Sequence, residues 1–282
     1  MPPCPRCATS RVKKDGHVGE TQRFRCRTCR RTFIMRTGTP FAGHRWPQEV
    51  IVTAVRWYLR FRLSAADVRD LLAERGVAVS ARTILYWVQK FAPLLARAGR
   101  RAAVRPGARW WCDETYVRVG GTWAYLYRAI DERGQVVDVL LRRHRDLDSA
   151  RAFFVLATYR RRATPEEVVT DKHPAYGRAI RDEVPGAVHI QSGLHRRCGP
   201  DTKPIERSHV PIKDRLRPMR GLQSIRTGQR TIEGVELARA VQRSHIMAPP
   251  DAGAGGTTGA YARARTAATT FAWLADSLRV AA

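Results

Sequence analysis

The chain contains no run of about 18 uninterrupted apolar residues, and its opening MPPCPRCATSRVKK lacks the apolar core of a secretory signal. These absences argue against a helical membrane anchor and predict a cytoplasmic protein with no membrane partner. Acid is scarce: 25 Asp plus Glu stand against 51 Lys plus Arg, mostly Arg, for a formal charge of +26. A field of that sign favours a polyanion, because each phosphate neutralised releases counterions from the nucleic acid. Charge alone also fits a ribosomal-type or merely arginine-rich chain, so it nominates nucleic acid without an activity. Cysteines number only 6, and where disulfides are rare they read as metal ligands or buried thiols.

Four of the cysteines form a pattern. Cys4 and Cys7 are followed, after the 18 residues from Ala8 to Arg25, by Cys26 and Cys29. Paired thiolates at this spacing close a tetrahedral Zn2+ site. QRFRC and RRTF read as short strands and Asp15-Gly16 as a turn, which makes a zinc ribbon over residues 1–36. So short a segment buries too little apolar surface to fold alone; one structural zinc would supply the energy, of order 10–16 kcal/mol in small zinc peptides. Cys112 and Cys198 have no partner at ligand spacing and read as buried or incidental thiols.

After Pro40 the periodicity is helical. Pro47 starts a helix with Ile51, Ala54, Val55, Tyr58 and Phe61 on one face; Ser64 caps a second with Val68, Leu71 and Leu72 inward; Gly76 ends it. Ser80 caps a third with Ile84, Trp87, Val88 and Phe91 inward. An ordinary bundle has the same pattern, but beside a ribbon and this charge, residues 45–93 read as a helix-turn-helix domain. Arg82, Thr83, Tyr86, Gln89 and Lys90, outward on the third helix, are the candidates for phosphates or base edges. Residues 94–107 read as a basic linker.

From Trp110 the period becomes that of strands. Trp110–Val119, Trp123–Ile130 and Gln135–Leu141 predict an antiparallel meander, followed by alternating helices and strands. This is a mixed α/β domain over residues 108–247 in the order of the ribonuclease H fold. Residues 248–282 read as a flexible linker and a terminal helix with Phe271, Leu274 and Leu278 on one face, docked on this chain or on a partner. Three acids in this half stand in settings that suit metal ligands. Asp113 lies in the apolar-rich WWCDETYVRV, Asp171 ends VVTD, and Glu206 falls in the helical IERSHVPIKDR, so each needs a partner charge.

WWCDETYVRVGGTWAYLYRAID, VVTDKHPAYGRAI and IERSHVPIKDRLRPMRGLQS resemble the signature blocks of bacterial insertion-sequence DDE transposases, of the insertion sequence six family, relatives of retroviral integrases. The resemblance runs from about Trp46 to Ser244 and leaves the ribbon and the tail outside. It implies that Asp113, Asp171 and Glu206, the last two separated by the 34 residues from Lys172 to Ile205, are a catalytic triad binding two Mg2+ or Mn2+ ions. It also implies terminal inverted repeats and target DNA as partners, with a homo-oligomer in the synapse. Hard cations with open positions suit such carboxylates. The basic residue expected seven positions after the glutamate is Lys213. An ideal helix turns about 700° over that interval, so Lys213 would project within ~20° of Glu206 and about 10 Å along, beside a phosphate. Arg215 and Arg217 extend the basic surface, and His209 on the same face has an orienting role. Glu114 alternates to the opposite sheet face from Asp113, while Asp131 and Asp138 belong to a turn and the third strand. Two other classes remain open: a non-catalytic DNA-binding regulator, and a structure-selective nuclease of the same fold.

Overall fold

The computed structural model describes residues 1–19, 21–192, 203–219, 221–246 and 260–278. Cys198, with residues 193–202 before the helix that carries Glu206, and most of the linker expected after Met247 lie outside the described residues.

Near the N-terminus β1 (Val12–Val18), β2 (Thr21–Cys26) and β3 (Thr32–Ile34) form an antiparallel sheet in sequence order. Val12, Phe24 and Phe33 with Cys4 and Cys26 form a core of its own. Asp15-Gly16, expected as a turn, is instead an irregularity within β1: the register shifts between Lys14 and His17, and Gly16 sits at φ +72°. A glycine takes that left-handed conformation without a Cβ clash, so the strand bulges and runs on to Val18.

Three helices follow. α1 (Gln48–Arg60) begins after Pro47 and buries Ile51, Ala54, Val55 and Tyr58. Phe61, expected on that face, caps the helix in extended conformation and is 41% exposed. α2 (Ala65–Ala73) has a full capping box between Ser64 and Asp67. α3 starts after Ser80, whose hydroxyl accepts from the Thr83 amide, and buries Ile84, Trp87, Val88 and Phe91 as expected. It then continues through Pro93 to Ala102, so most of the expected linker is helix. An interior proline costs about 3 kcal/mol, and the burial of Leu95, Ala96, Ala98 and Gly99 beyond it offsets that.

The second half is a mixed sheet. β4 (Arg109–Val119), β5 (Thr122–Asp131) and β6 (Val136–Arg142) form the expected antiparallel meander. α4 (Leu147–Arg161), β7 (Glu167–Thr170), α5 (Pro174–Glu183) and β8 (Val188–Gln191) follow, and the strand order is β6-β5-β4-β7-β8 with β7 and β8 parallel to β4. This is the ribonuclease H-like arrangement. Alternation explains its two covered faces. Trp110, Cys112, Tyr127, Ala129, Val137 and Leu140 meet α4 and α5. Val117, Val119, Ala124, Leu126, Val139 and Leu141 enter a larger core shared with α1–α3.

That larger core also takes in α6 (Lys203–Leu216), α7 (Ile225–Gln242) and α8 (Ala260–Ser277). Helices expected as a separate DNA-binding domain are therefore fused to the sheet through α7. The approach is close: a Cβ at Gly234 would lie 2.8 Å from Ala92 on α3 and from Leu59 on α1. Phe271, Leu274 and Leu278 are buried in the same core, so the tail docks on this chain. Gln48 Nε2 donates to Asp276 Oδ1 at 2.9 Å and fixes its position.

Candidate metal site and nucleic-acid interface

β4 and β7 are parallel neighbours, paired from Arg109–Glu167 to Trp111–Val169. Two residues further along each strand the ladder has ended, and Asp113 and Asp171 stand at the opening. Oxygens of Asp113, Glu114 and Asp171 all lie within 4.8 Å of one another. Glu114 therefore corrects one expectation. Alternation places it on the other sheet face, beside Tyr127, yet its carboxylate gathers with those of Asp113 and Asp171 past the end of the β4–β7 ladder.

The charges in this cluster are unbalanced. Arg145 Nη2 contacts Glu114 Oε2 at 3.2 Å and Asp171 Oδ2 at 2.7 Å, and among the described residues it is the one Arg or Lys paired with the three acids. Arg128, opposite Asp113 on β5, is fully buried but is held by Glu236 Oε1 at 2.8 Å and Ser208 Oγ at 2.7 Å. Burial, then the neighbouring Glu114 charge, raises the Asp113 carboxyl to about 7. Glu114 Oε1 is buried with no hydrogen-bond partner among the described residues. Such a donor set, rich in oxygen and short of positive charge, fits a hard divalent cation.

α6 packs on β4 at this point. His209 Nδ1 lies 3.8 Å from Asp113 Oδ2. Burial, with Arg128 and Lys213 nearby, lowers His209 to about 3, so the ring is neutral, and its Nε2 has no hydrogen-bond partner among the described residues. Glu206, one turn earlier on α6, is exposed and stands outside the 4.8 Å cluster. Lys213 is exposed on the same helix, and Arg217 keeps 83% of its side chain in solvent. Arg215 does not join this surface. It is buried, donates to the carbonyls of Leu59 and Leu63, and lies over the Tyr58 ring, where it ties α6 to α1.

On α3 the expected reading residues divide. Arg82 and Tyr86 are exposed, and Thr83 bonds to the Ser80 hydroxyl. Lys90 Nζ contacts His44 Nε2 at 2.8 Å. Gln89 is turned inward: its amide donates to Thr231 Oγ1 at 2.9 Å and to the Thr227 carbonyl, so α7 covers the face that helical periodicity left open. Arg145, Glu114 and Arg128 were not among the predicted site residues. The Asp113-Glu114 doublet was the available signal for one of them; nothing local marks the two arginines.

In the ribbon, Cys4, Cys7, Cys26 and Cys29 converge as their spacing predicts. Sγ–Sγ separations are 3.6 Å for Cys4–Cys29 and 3.5 Å for Cys7–Cys26. A zinc tetrahedron with Zn–S bonds of about 2.3 Å has edges of about 3.8 Å, so these thiols fit one Zn2+. The Cys29 amide donates to Cys26 Sγ at 3.4 Å and helps to pull that thiol down to about 6, toward the ligating thiolate. Cys112 is buried, and burial pushes its thiol well up. Among the described residues no helix is long and apolar enough to cross a membrane.

Comparison with known proteins finds transposases among the relatives of this chain. The family pattern described as a DDE domain, of the IS240 transposase type, matches residues 107–245. The transposase for insertion sequence-like element IS431mec of Staphylococcus aureus is 35% identical over 205 residues, covering 73% of this chain and 89% of its own. The Staphylococcus aureus transposase for insertion sequence element IS257 in transposon Tn4003 is similar to the same extent, at 35% over 205 residues. One solved chain, from the simian T-cell lymphotropic virus intasome in complex with PP2A regulatory subunit B56 gamma, covers 68% of this chain and 76% of its own, with 15% identity and a TM-score of 0.37. The chain belongs to the IS240/IS6 family of insertion-sequence DDE transposases, enzymes that catalyse DNA strand transfer.

Proposed function

We propose that Asp113, Asp171 and Glu206 hold two Mg2+ or Mn2+ ions, and that the enzyme cuts the ends of its element to free 3′-hydroxyls and joins these to target DNA. The observation that carries this reading is the meeting of Asp113 and Asp171 within 4.8 Å at the ends of adjacent parallel strands, with too little positive charge to balance them. When bound, such ions activate the attacking oxygen and stabilise the departing one. The chain's own groups have simpler tasks. Asp113 gives up its proton on binding, neutral His209 orients it, and Arg145 keeps Asp171 and Glu114 in place until cations arrive. Glu206 approaches from α6, and Lys213 on the same helix contacts a phosphate. The nucleophile is water in the first step and the freed hydroxyl in the second, so no protein nucleophile is needed.

The division of labour follows the chain. Residues 1–36 with one Zn2+, and the helical domain over 45–93 with Arg82, Thr83 and Tyr86, recognise the inverted repeats; residues 108–247 carry out the chemistry; and a homo-oligomer brings two ends together. Arg217 and Lys90 add phosphate contacts. A second reading is favoured by one observation: Glu114, not Glu206, completes the 4.8 Å cluster. Cleavage and strand-transfer assays with Asp113→Asn, Asp171→Asn, Glu206→Gln and Glu114→Gln decide between them. The triad requires that the first three lose both steps together while still binding element ends in Ca2+. Joining by Glu206→Gln at the parental rate, with loss in Glu114→Gln, would reassign the third ligand. For the ribbon, metal analysis should find one zinc, absent from a Cys26→Ser, Cys29→Ser variant.

A further inference from the structure

The β4–β5 hairpin carries a bare aromatic surface next to the acids. On the face of Glu114 the cross-strand pairs run outward from Glu114–Tyr127 to Tyr116–Tyr125 and then Arg118–Trp123. α4 and α5 cover this face as far as Tyr127, whose ring meets Phe153 and Tyr176. Beyond it the sheet is uncovered: Tyr116 is 54% and Trp123 63% exposed, with Tyr125 half-buried between them. The rings form a continuous ladder, Tyr125–Tyr116 at 5.1 Å and Tyr116–Trp123 at 6.2 Å between centroids. The other face of the same hairpin is locked in the main core by Val117, Val119, Ala124 and Leu126, and the Gly120 amide donates to the Leu222 carbonyl at 2.7 Å. The surface is therefore rigid as well as open.

Its surroundings are cationic. Arg118 lies over the Trp123 ring at 5.7 Å, Arg143 reaches Thr122 Oγ1, and Arg142 stands opposite Tyr125. Among the described residues none of Arg118, Arg142 and Arg143 forms an ion pair. Solvent-exposed aromatics interleaved with unpaired arginines match a nucleic acid strand whose bases offer faces and whose phosphates offer charge. A paired duplex presents only base edges, so the ladder suits unpaired bases. Two residues of strand, about 7 Å, separate Glu114 from Tyr116, which puts the first ring one step from the carboxylates.

We propose that Tyr116, Tyr125 and Trp123 form a stacking platform for unpaired bases flanking the scissile phosphodiester, with Arg118 and Arg143 on the phosphates of the same strand. This rests on the reading that Asp113 and Asp171 mark the reacting centre. The platform would make the enzyme prefer DNA ends that are already frayed, and it would hold a melted end against re-pairing. A surface for a second copy of this chain is the competing use of the same face.

The test compares two DNA ends of the element, one fully paired and one with two mismatched terminal pairs, each carrying 2-aminopurine at the unpaired position. Binding is measured in Ca2+, so the readout does not depend on turnover. The full-length parent should bind the mismatched end more tightly and quench its 2-aminopurine. Trp123→Ala and Tyr116→Ala should each bind that end about tenfold more weakly and lose the quenching, with little change on the paired end, while Trp123→Phe retains both. Asp113→Asn should keep the preference, so a failure of the metal assignment leaves this result intact. No preference in the parent, an undiminished preference in both alanine variants, or a change confined to oligomeric state would overturn the platform.

Discussion

Asp138 and Glu233 make a second acidic cluster beside the same sheet, and it differs from the first in what surrounds it. Arg160 lies 3.3 Å from Asp138 and 3.2 Å from Glu233, and Arg100 lies 3.7 Å from Glu233, so two buried acids meet two partly exposed guanidinium groups. Asp113, Glu114 and Asp171 are three acids against Arg145, and Asp171 keeps 40% of its side chain in water. Burial raises the carboxyl of Asp138 as it raises that of Asp113. The shift alone does not separate the clusters; the balance of charge and the access to solvent do. A neutral, enclosed set of acids and bases joins elements, here α3, α4, α7 and β6. An open set with surplus negative charge can accept a cation.

The largest expected effect tests that difference through activity. Asp113→Asn or Asp171→Asn should lower strand transfer by at least 10²–10³-fold, the scale on which loss of one charge-stabilising group acts. Thermal stability should be unchanged or improved, because mutual repulsion is reduced. Arg160→Met should do the reverse. It leaves Asp138 and Glu233 short of a counter-charge, and breaking a buried pair costs about 3–5 kcal/mol. The lower end applies, since Arg160 keeps 24% of its side chain exposed. Denaturant melts would show the loss, with strand transfer per folded molecule near the parental rate. Comparable activity losses in Arg160→Met and Asp113→Asn would remove the distinction between the clusters.

A middle-sized effect is expected on the helical side. Gln89→Ala removes hydrogen bonds from α3 to α7 and should cost about 1 kcal/mol of stability without changing preference for element ends. Arg82→Ala should lower that preference and leave stability alone, because base contacts carry discrimination. A binding comparison of element-end and random DNA with both variants separates a structural contact from a reading contact.

Those two residues also show what could be read from sequence. Strand alternation in RWWCDETYVRV and TWAYLYRAID is local and strong, and it placed β4 and β5 correctly, while the pairing of β4 with β7 that brings Asp113 to Asp171 is not written in either strand. Cysteine spacing did the same for the ribbon. Gln89 and Arg215 sit at positions that one helix alone would leave in solvent; α7 and α1 cover them from far along the chain, and no local pattern records that. Arg145 follows β6 in an arginine-rich stretch where its neighbours look equivalent. Only the folded arrangement picks it out as the partner of Asp171. The linker expected from Leu94 is mostly helix for a related reason: the cost of Pro93 to the helix is local, while the burial that offsets it is tertiary.

The smallest effect is a pH dependence of stability that belongs to the open cluster. The Asp113 carboxyl is raised from 3.8 to about 7, first by burial and then by Glu114, so the folded chain holds a proton there that the unfolded chain releases. Stability from this group is therefore fully present below pH 3.8 and is lost as pH rises to about 7. Asp113→Asn mimics the protonated form and removes that loss. In buffer without added magnesium, the parent and Asp113→Asn should melt alike near the low end of the window, and the variant should melt a few degrees higher at pH 8. Adding Mg2+ should close the gap by stabilising the parent alone, since a ligand that binds only the native state raises its melting temperature. Arg160→Met should show no such recovery with magnesium, because its acids are enclosed. A variant that melts with the parent at pH 8, or a gap that magnesium leaves open, would show that the surplus charge at Asp113 is not what prepares this edge of the sheet for a cation.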